Sequence, residues 1–214
     1  MCRLLGVISR VPVRLTGLLA AEGEHLDGWG VATWRAGELS VLRDVLAAQA
    51  SVGGAGLVTD AALLQRRDTP PFRAGAIAFA HHGFFAPATA VDELIDADLL
   101  ADLLGDNDSE RYFRCVLSRM RHADPIAAIA RAAADIRARA EPGGLDCLLL
   151  TQDALYAYAD AETETEGLRY RVAEGRVVVA SGGISGRADW RVLPAREVLE
   201  IRRADLRVSR HQLA

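Results

Sequence analysis

The chain has no lysine; all 25 of its basic residues are arginine. Against 29 acidic residues they leave a net charge of −4, which gives no broad basic surface for nucleic acid. Alongside abundant alanine, the missing lysine reads as a coding bias rather than a function. Cysteine is scarce. Cys2, Cys115 and Cys147 are far apart and odd in number, so no CxxC metal site exists and a disulfide framework is not expected. A reducing cytoplasm is the expected setting. No run of about 18 apolar residues occurs, so no membrane span is predicted. Arg3, Arg10 and Arg14 interrupt the N-terminal apolar residues before a signal-peptide core can form. There is no internal repeat, low-complexity tail or linker.

What is present is a 214-residue chain, half of it hydrophobic, which predicts one domain over 1–214 with a sizeable core. Residues 3–9 read as a buried strand, with Val11-Pro12-Val13 turning the chain and a short helix over 15–21. Gly28 and Gly30 flank Trp29, a tight backbone path of the kind needed where main chain approaches something closely. Residues 31–35 and 39–43 form a hairpin about a turn at 36–38. Residues 47–56 are loop-like, 57–58 a short strand, and the adjacent prolines exclude regular structure over 66–72. Residues 75–80 form a buried strand ending in His81-His82-Gly83, polar residues at a strand mouth. Helices are predicted over 91–104 with Gly105 as C-cap, over 111–121 behind the capping residues Asn107 to Glu110, and over 126–140 behind Asp124-Pro125. Pro142-Gly143-Gly144 ends the last one. Strands follow over 145–151, 154–159, 168–172 and 176–181, with a turn over 194–199 into a final strand. The acidic run 160–166 reads as a solvated loop. Strands, then helices, then strands on one core predict an α+β layered domain.

The chemistry concentrates at the start. Methionine aminopeptidases generally trim Met before a small residue, and Cys2 is small. Its thiol and freed α-amine, with ordinary pKa values of about 8.5 and about 7.7–8.0, would supply a nucleophile and a base within one residue. Cys115 and Cys147 read as inert packing residues, His122 and His211 as surface residues, and Trp29 and Trp34 as core or pocket wall. His25 and Asp27 read as holding the glycine turn. A metal site at His81 and His82 is disfavoured, because adjacent strand residues point to opposite faces.

Taken together, Met1-Cys2-Arg3-Leu4-Leu5-Gly6 and His25-Leu26-Asp27-Gly28-Trp29-Gly30 resemble the start of class II glutamine amidotransferases, which are N-terminal-nucleophile hydrolases. Within that family the stand-alone bacterial branch is the nearest in pattern. Further motifs follow in order. Asp68-Thr69-Pro70-Pro71-Phe72 is similar to the family's Asn-Thr-His-Pro-Phe. Phe79-Ala80-His81-His82-Gly83 is similar to Phe/Tyr-x-His-Asn-Gly. Asp108-Ser109-Glu110 is similar to Asp-Ser/Thr-Glu, and Val179-Ala180-Ser181 to a late Val-Ala-Ser strand that borders the pocket.

The resemblance implies a four-layer αββα sandwich in which Cys2 attacks a side-chain amide and a thioester is hydrolysed. It implies that Gly83 and the residue at position 82 stabilise the oxyanion. It places Asp108 on the substrate's α-ammonium, with Gly28, Trp29 and His81 as further substrate contacts. It implies no cofactor and no metal. A small-molecule amide is the implied substrate, and a separate enzyme is the acceptor if ammonia is passed on. Neither nucleic acid nor membrane is implied as a partner. The pattern departs from the family in three places. His82 stands for the oxyanion Asn, Pro70 for the loop His, and residues 57–62 lack the family's His-x-Arg; Arg66, Arg67 and Arg73 are candidates to replace it, with no choice among them from sequence. Losing a bidentate carboxylate clamp costs about 1.5–3 kcal/mol per charged hydrogen bond, which weakens the case for glutamine itself and leaves a γ-glutamyl-type compound, or another amide whose carboxylate is absent or masked, as alternatives. The alternative is a non-catalytic relative that keeps the fold and binds a small molecule or a partner protein. A retained Met1 would favour it by blocking the α-amine.

Overall fold

The computed structural model describes residues 3–14, 29–35, 37–44, 58–66, 71–160, 167–181 and 189–213. Two antiparallel sheets lie face to face. The first contains β1 (Arg3–Arg14), β2 (Trp29–Arg35), β3 (Glu38–Asp44), β4 (Val58–Arg66), β9 (Leu168–Ala173), β10 (Arg176–Ser181) and β11 (Arg191–Val192), in the order β11-β9-β10-β1-β4-β2-β3. The second contains β5 (Phe72–Ala74), β6 (Ile77–Ala86), β7 (Glu141–Leu150), β8 (Ala154–Ala159), β12 (Glu197–Arg202) and β13 (Val208–Gln212), in the order β13-β12-β8-β7-β6-β5. Helices α1 (Ala97–Ala101), α2 (Asp108–Met120) and α3 (Pro125–Arg139) lie between β6 and β7 in sequence, and α2 and α3 pack on the outer face of the second sheet.

Period-two alternation sets the layers. Along β8, Ala154, Tyr156 and Tyr158 enter the core under the helices, while Leu155, Ala157 and Ala159 enter the core between the sheets. Along β6, Phe79 and Phe85 face the helices, and Ala78 and Ala80 face the first sheet. Small residues on the inner face let the sheets close. A Cβ on Gly6 of β1 would come within 2.7 Å of Leu155 Cδ2 and 3.2 Å of Leu148 Cδ1. Phe79 is fully buried under the helices, stacked on Phe113 at 5.3 Å and edge-on to Tyr112 at 5.1 Å. Truncating such a ring to Ala costs about 3–5 kcal/mol.

Several sequence expectations hold: the β2–β3 hairpin, β7 to β10, and helices α2 and α3. Asn107 Oδ1 caps α2 by accepting from the Ser109 and Glu110 amides, and Asp124 Oδ1 caps α3 by accepting from Ala127 N–H. Others are corrected. Val11-Pro12-Val13 does not turn the chain. β1 continues through it, and its register with β4 shifts between Ile8 and Val13, an irregularity that tolerates a residue without an N–H. β4 is a full central strand and not a two-residue one. Its Ala, Leu and Gln residues favour helix, and pairing with β1 on one side and β2 on the other overrides that preference.

The predicted 91–104 helix is broken. A 3-10 segment, Ala88–Leu94, is followed by extended residues Ile95 and Asp96, and α1 ends well before Gly105. Side chains of α2 take the backbone groups a continuous helix would use: Ser118 Oγ accepts from Asp96 N–H, and Arg119 donates to Leu94 O. Strand β6 does not stop at Ala80 but runs to Ala86, and residues 142–144 lie inside β7 rather than in a loop. The chain closes on two strands, β12 and β13, where one was expected. The expectations for 15–21, 47–56 and 67–70 fall outside the described residues. No described helix is long and apolar enough to cross a membrane.

Candidate active site

Strand β1 sits between β10 and β4, with Leu5 opposite both Ala180 and Leu64. Its start is pinned from β10: Leu4 N–H donates to the buried hydroxyl of Ser181 at 2.8 Å. Three strand ends meet here in register, because Arg66 of β4 pairs with Arg3 of β1 on one side and with Trp29 of β2 on the other. Cys2 and Gly28, each one residue before this row, lie outside the described residues, as do His25, Asp27 and the Trp29 side chain. Arg73, another candidate cation, is turned back on its own turn, donating to Gly75 O at 2.9 Å.

β6 packs across the faces of β1 and β4. By alternation with Ala80, His82 points toward the first sheet, and His81 points to the helices. His81 is 1% exposed, and both ring nitrogens are engaged: Nδ1 lies 2.9 Å from Ser109 Oγ and Nε2 lies 3.1 Å from Gly144 O. Burial pushes its pKa down to about 4, against the Gly144 hydrogen bond and the nearby Asp108 charge. The ring is therefore neutral at pH 7. A carbonyl can only accept, so the proton sits on Nε2, and Nδ1 accepts from the Ser109 hydroxyl. Asp108 Oδ1, at 3.4 Å from the same hydroxyl, loses that competition to the shorter contact. This places His81 on the helix side of the strand, with both ring nitrogens engaged by the protein.

What His81 supports is the approach of β7 to Gly83. Gly83 has φ +138°, and a Cβ there would fall 2.0 Å from Gly144 O. Only glycine fits. Gly144 itself has φ +122°, and the β6–β7 register shifts between Gly83 and Phe85. The bulge is tied down on its other side by Asp108, at the first turn of α2, whose Oδ2 accepts from Phe85 N–H at 3.0 Å. Asp108, Ser109, His81, Gly144 and Gly83 thus form a continuous polar frame around the strand mouth. Ser109 and Gly144 join this frame without being singled out by the sequence, where the Pro-Gly-Gly triplet reads as a helix stop.

A second polar frame lies beside it on β7 and β8. Asp146 is 2% exposed, faces the first sheet as Leu148 does, and stands directly opposite His82 in the β6–β7 register. Its Oδ1 accepts from Asp160 N–H at 2.6 Å. Asp160, assigned to a solvated loop by sequence, is instead built in. Its carboxylate accepts from Leu145 N–H at 2.9 Å and from the Tyr158 hydroxyl at 3.2 Å, and it pairs with Arg137. The remaining cysteines are remote packing residues. Burial raises both Cys115 and Cys147 to about 12, far from a reactive thiolate. Trp34 is core, at 2% exposed, and His122 is exposed as expected. No cluster of three potential metal ligands occurs among the described residues. A cleft of about 460 Å³ lined by Tyr170, Arg191, Glu197 and Arg210 lies at the far sheet edges and shares no residue with this site.

No protein-family model matches the chain, and no curated protein does. Solved structures do match. A glutamine aminotransferase class-II domain protein from Silicibacter pomeroyi superposes with a TM-score of 0.79 at 24% identity, over the whole of both chains. Glutamine phosphoribosylpyrophosphate amidotransferase from B. subtilis superposes with a TM-score of 0.72 at 16% identity; all of this chain covers 49% of that one. A predicted glutamine amidotransferase from Pseudomonas aeruginosa gives 0.58 at 17% identity, over 96% of this chain and 99% of that chain. The fold is thus the four-layer αββα sandwich of these glutamine amidotransferase domains.

Proposed function

We propose that on this fold the chain is a class II glutamine amidotransferase-like amidohydrolase with Cys2 as nucleophile. The observation that carries the reading is the row Arg3–Arg66–Trp29, which brings the residues following Cys2 and Gly28 to one end of the first sheet, under β6. With Met1 removed, the Cys2 thiol passes its proton to its own α-amine, and the sulfur attacks a side-chain amide carbonyl. Gly83 N–H and His82 donate to the oxyanion; one such donor is typically worth about 10²–10³ in rate. The amide nitrogen leaves with a proton as ammonia or amine, and water hydrolyses the thioester.

Asp108 is the acceptor for a substrate α-ammonium, and its bond to Phe85 N–H ties that acceptor to the bulge beside Gly83. Arg66, at the Cys2 end of β4, is the candidate for the α-carboxylate in place of the missing His-x-Arg. His81 acts as a support. The substrate is glutamine or a γ-glutamyl-type amide, and a separate acceptor enzyme is the partner if ammonia is transferred.

Intact-mass analysis before and after treatment with diazo-oxo-norleucine tests the reading. The expected result is a mass lacking Met1 and one adduct at Cys2, abolished by Cys2→Ala. An unprocessed N-terminus would overturn the enzyme reading in favour of a binding protein that keeps the fold.

A further inference from the structure

The cleft at the sheet edges has two walls. On the first sheet, Arg191 of β11 stands opposite Tyr170 of β9, which enters the core between the sheets. On the second, Glu197 of β12 stands opposite Gln212 of β13. Glu197 shares a strand face with Leu199 and Ile201, both in that same core, so it too points between the sheets. Packed sheets lie about 10 Å apart, and these side chains line one space of about 460 Å³ from both walls. Small-molecule sites occupy roughly 300–1,000 Å³ and converge a few polar groups in the same way. The charges on the walls are incompletely matched within the protein. Arg191 is exposed and has no ion-pair or hydrogen-bond partner among the described residues. Glu197 is the opposite case. Its side chain is only 14% exposed, and its Oε2 is buried and accepts no hydrogen bond among the described residues. The half-exposed Arg210 brings Nε to 3.5 Å from that oxygen without bonding it, a loose contact.

We propose that this cleft is a binding site for a small zwitterion, a free amino acid, with its carboxylate on Arg191 and its ammonium on Glu197. The argument is one of charge. A carboxylate mostly out of water calls for donors, and an ammonium brings three. An unpaired guanidinium presents a fork that fits a carboxylate. Arg191 and Glu197 line one cleft and do not pair with each other, so the space between them lies between opposite charges. A simple anion on Arg191 would leave Glu197 unsatisfied and be repelled by it. A simple cation on Glu197 would face two arginines. Only a ligand bearing both charges supplies a counterpart to each. Gln212 adds a polar side chain on one wall, and the half-exposed Val172 adds an apolar one on the other.

The test is an NMR titration of the full chain, read at the backbone amides of Tyr170, Val172, Arg191 and Gln212. Glycine, L-serine, L-leucine, L-phenylalanine and L-glutamate are added separately. At least one is expected to shift these resonances saturably. Its N-acetyl derivative, which lacks the ammonium, and its amide, which lacks the carboxylate, should each bind about tenfold or more weakly. Arg191→Gln should weaken the amino acid by a similar factor, and Glu197→Gln should remove its advantage over the N-acetyl derivative. No saturable shift with any of these amino acids overturns the proposal. So does equal binding of the N-acetyl derivative, which would make the cleft a simple anion site. If Glu197→Gln does not fold, the comparison of derivatives on the wild-type chain decides. The readout lies on β9, β11 and β13 and does not depend on Cys2, so this proposal and the amidohydrolase reading stand or fall separately.

Discussion

His81 and His82 are neighbours in sequence with opposite fates, and the strand pleat is the reason. His81 is sealed on the helix side, where burial holds its imidazole at about 4. The unfolded ring titrates near 6.5. Its stabilising contribution is therefore fully present above pH 6.5 and is lost as pH falls from there toward 4, a total on the order of 3 kcal/mol. Denaturant unfolding at pH 7.5, 5.5 and 4 should show that loss, and His81→Gln should flatten the part of the slope that belongs to this ring. Gly83 gives a sharper expectation. A methyl group there meets Gly144 O at 2.0 Å and demands a φ of +138° from an L-residue. Gly83→Ala should destabilise by at least about 2–3 kcal/mol and move the bulge. Unchanged unfolding in urea would show that the β6–β7 seam relaxes freely.

Among elements, β1 depends on a contact that no local pattern announces. The hydroxyl of Ser181, 177 residues away from Leu4, takes the buried N–H near the start of the strand. Ser181→Ala would leave that amide unsatisfied, at a cost of about 1–3 kcal/mol. The melting temperature should fall, and hydrogen exchange at Leu4 should accelerate more than exchange in the β7–β8 pair. The helices were legible because their caps are chemical: Asn107 and Asp124 do in the structure what their types predict. β4 was not, because its residues prefer helix and only two neighbouring strands make it extended. The helix expected over 91–104 is absent because the groups that break it, Ser118 and Arg119, belong to another helix.

For the whole molecule, the α+β class and the sandwich could be read from ordered motifs, and the fold agrees. The Asp146–Asp160 frame could not be read, since its members come from β7 and from the end of β8 and meet only through strand register. Asp160 looked like the first residue of an acidic loop because sequence carries no sign of Arg137 arriving from a helix.

The placement of β1 has a consequence during synthesis. The strand is made long before one of its two partners, β10, whose Ala180 lies opposite Leu5. At about 5–20 residues per second, the ribosome needs roughly 10–30 s after making β1 to deliver that partner. Until then an apolar segment, Leu4-Leu5-Gly6-Val7-Ile8, has at least one edge open to other chains. The early strand of the nascent polypeptide therefore waits, with a need for protection by a chaperone, until β10 arrives to close its second edge.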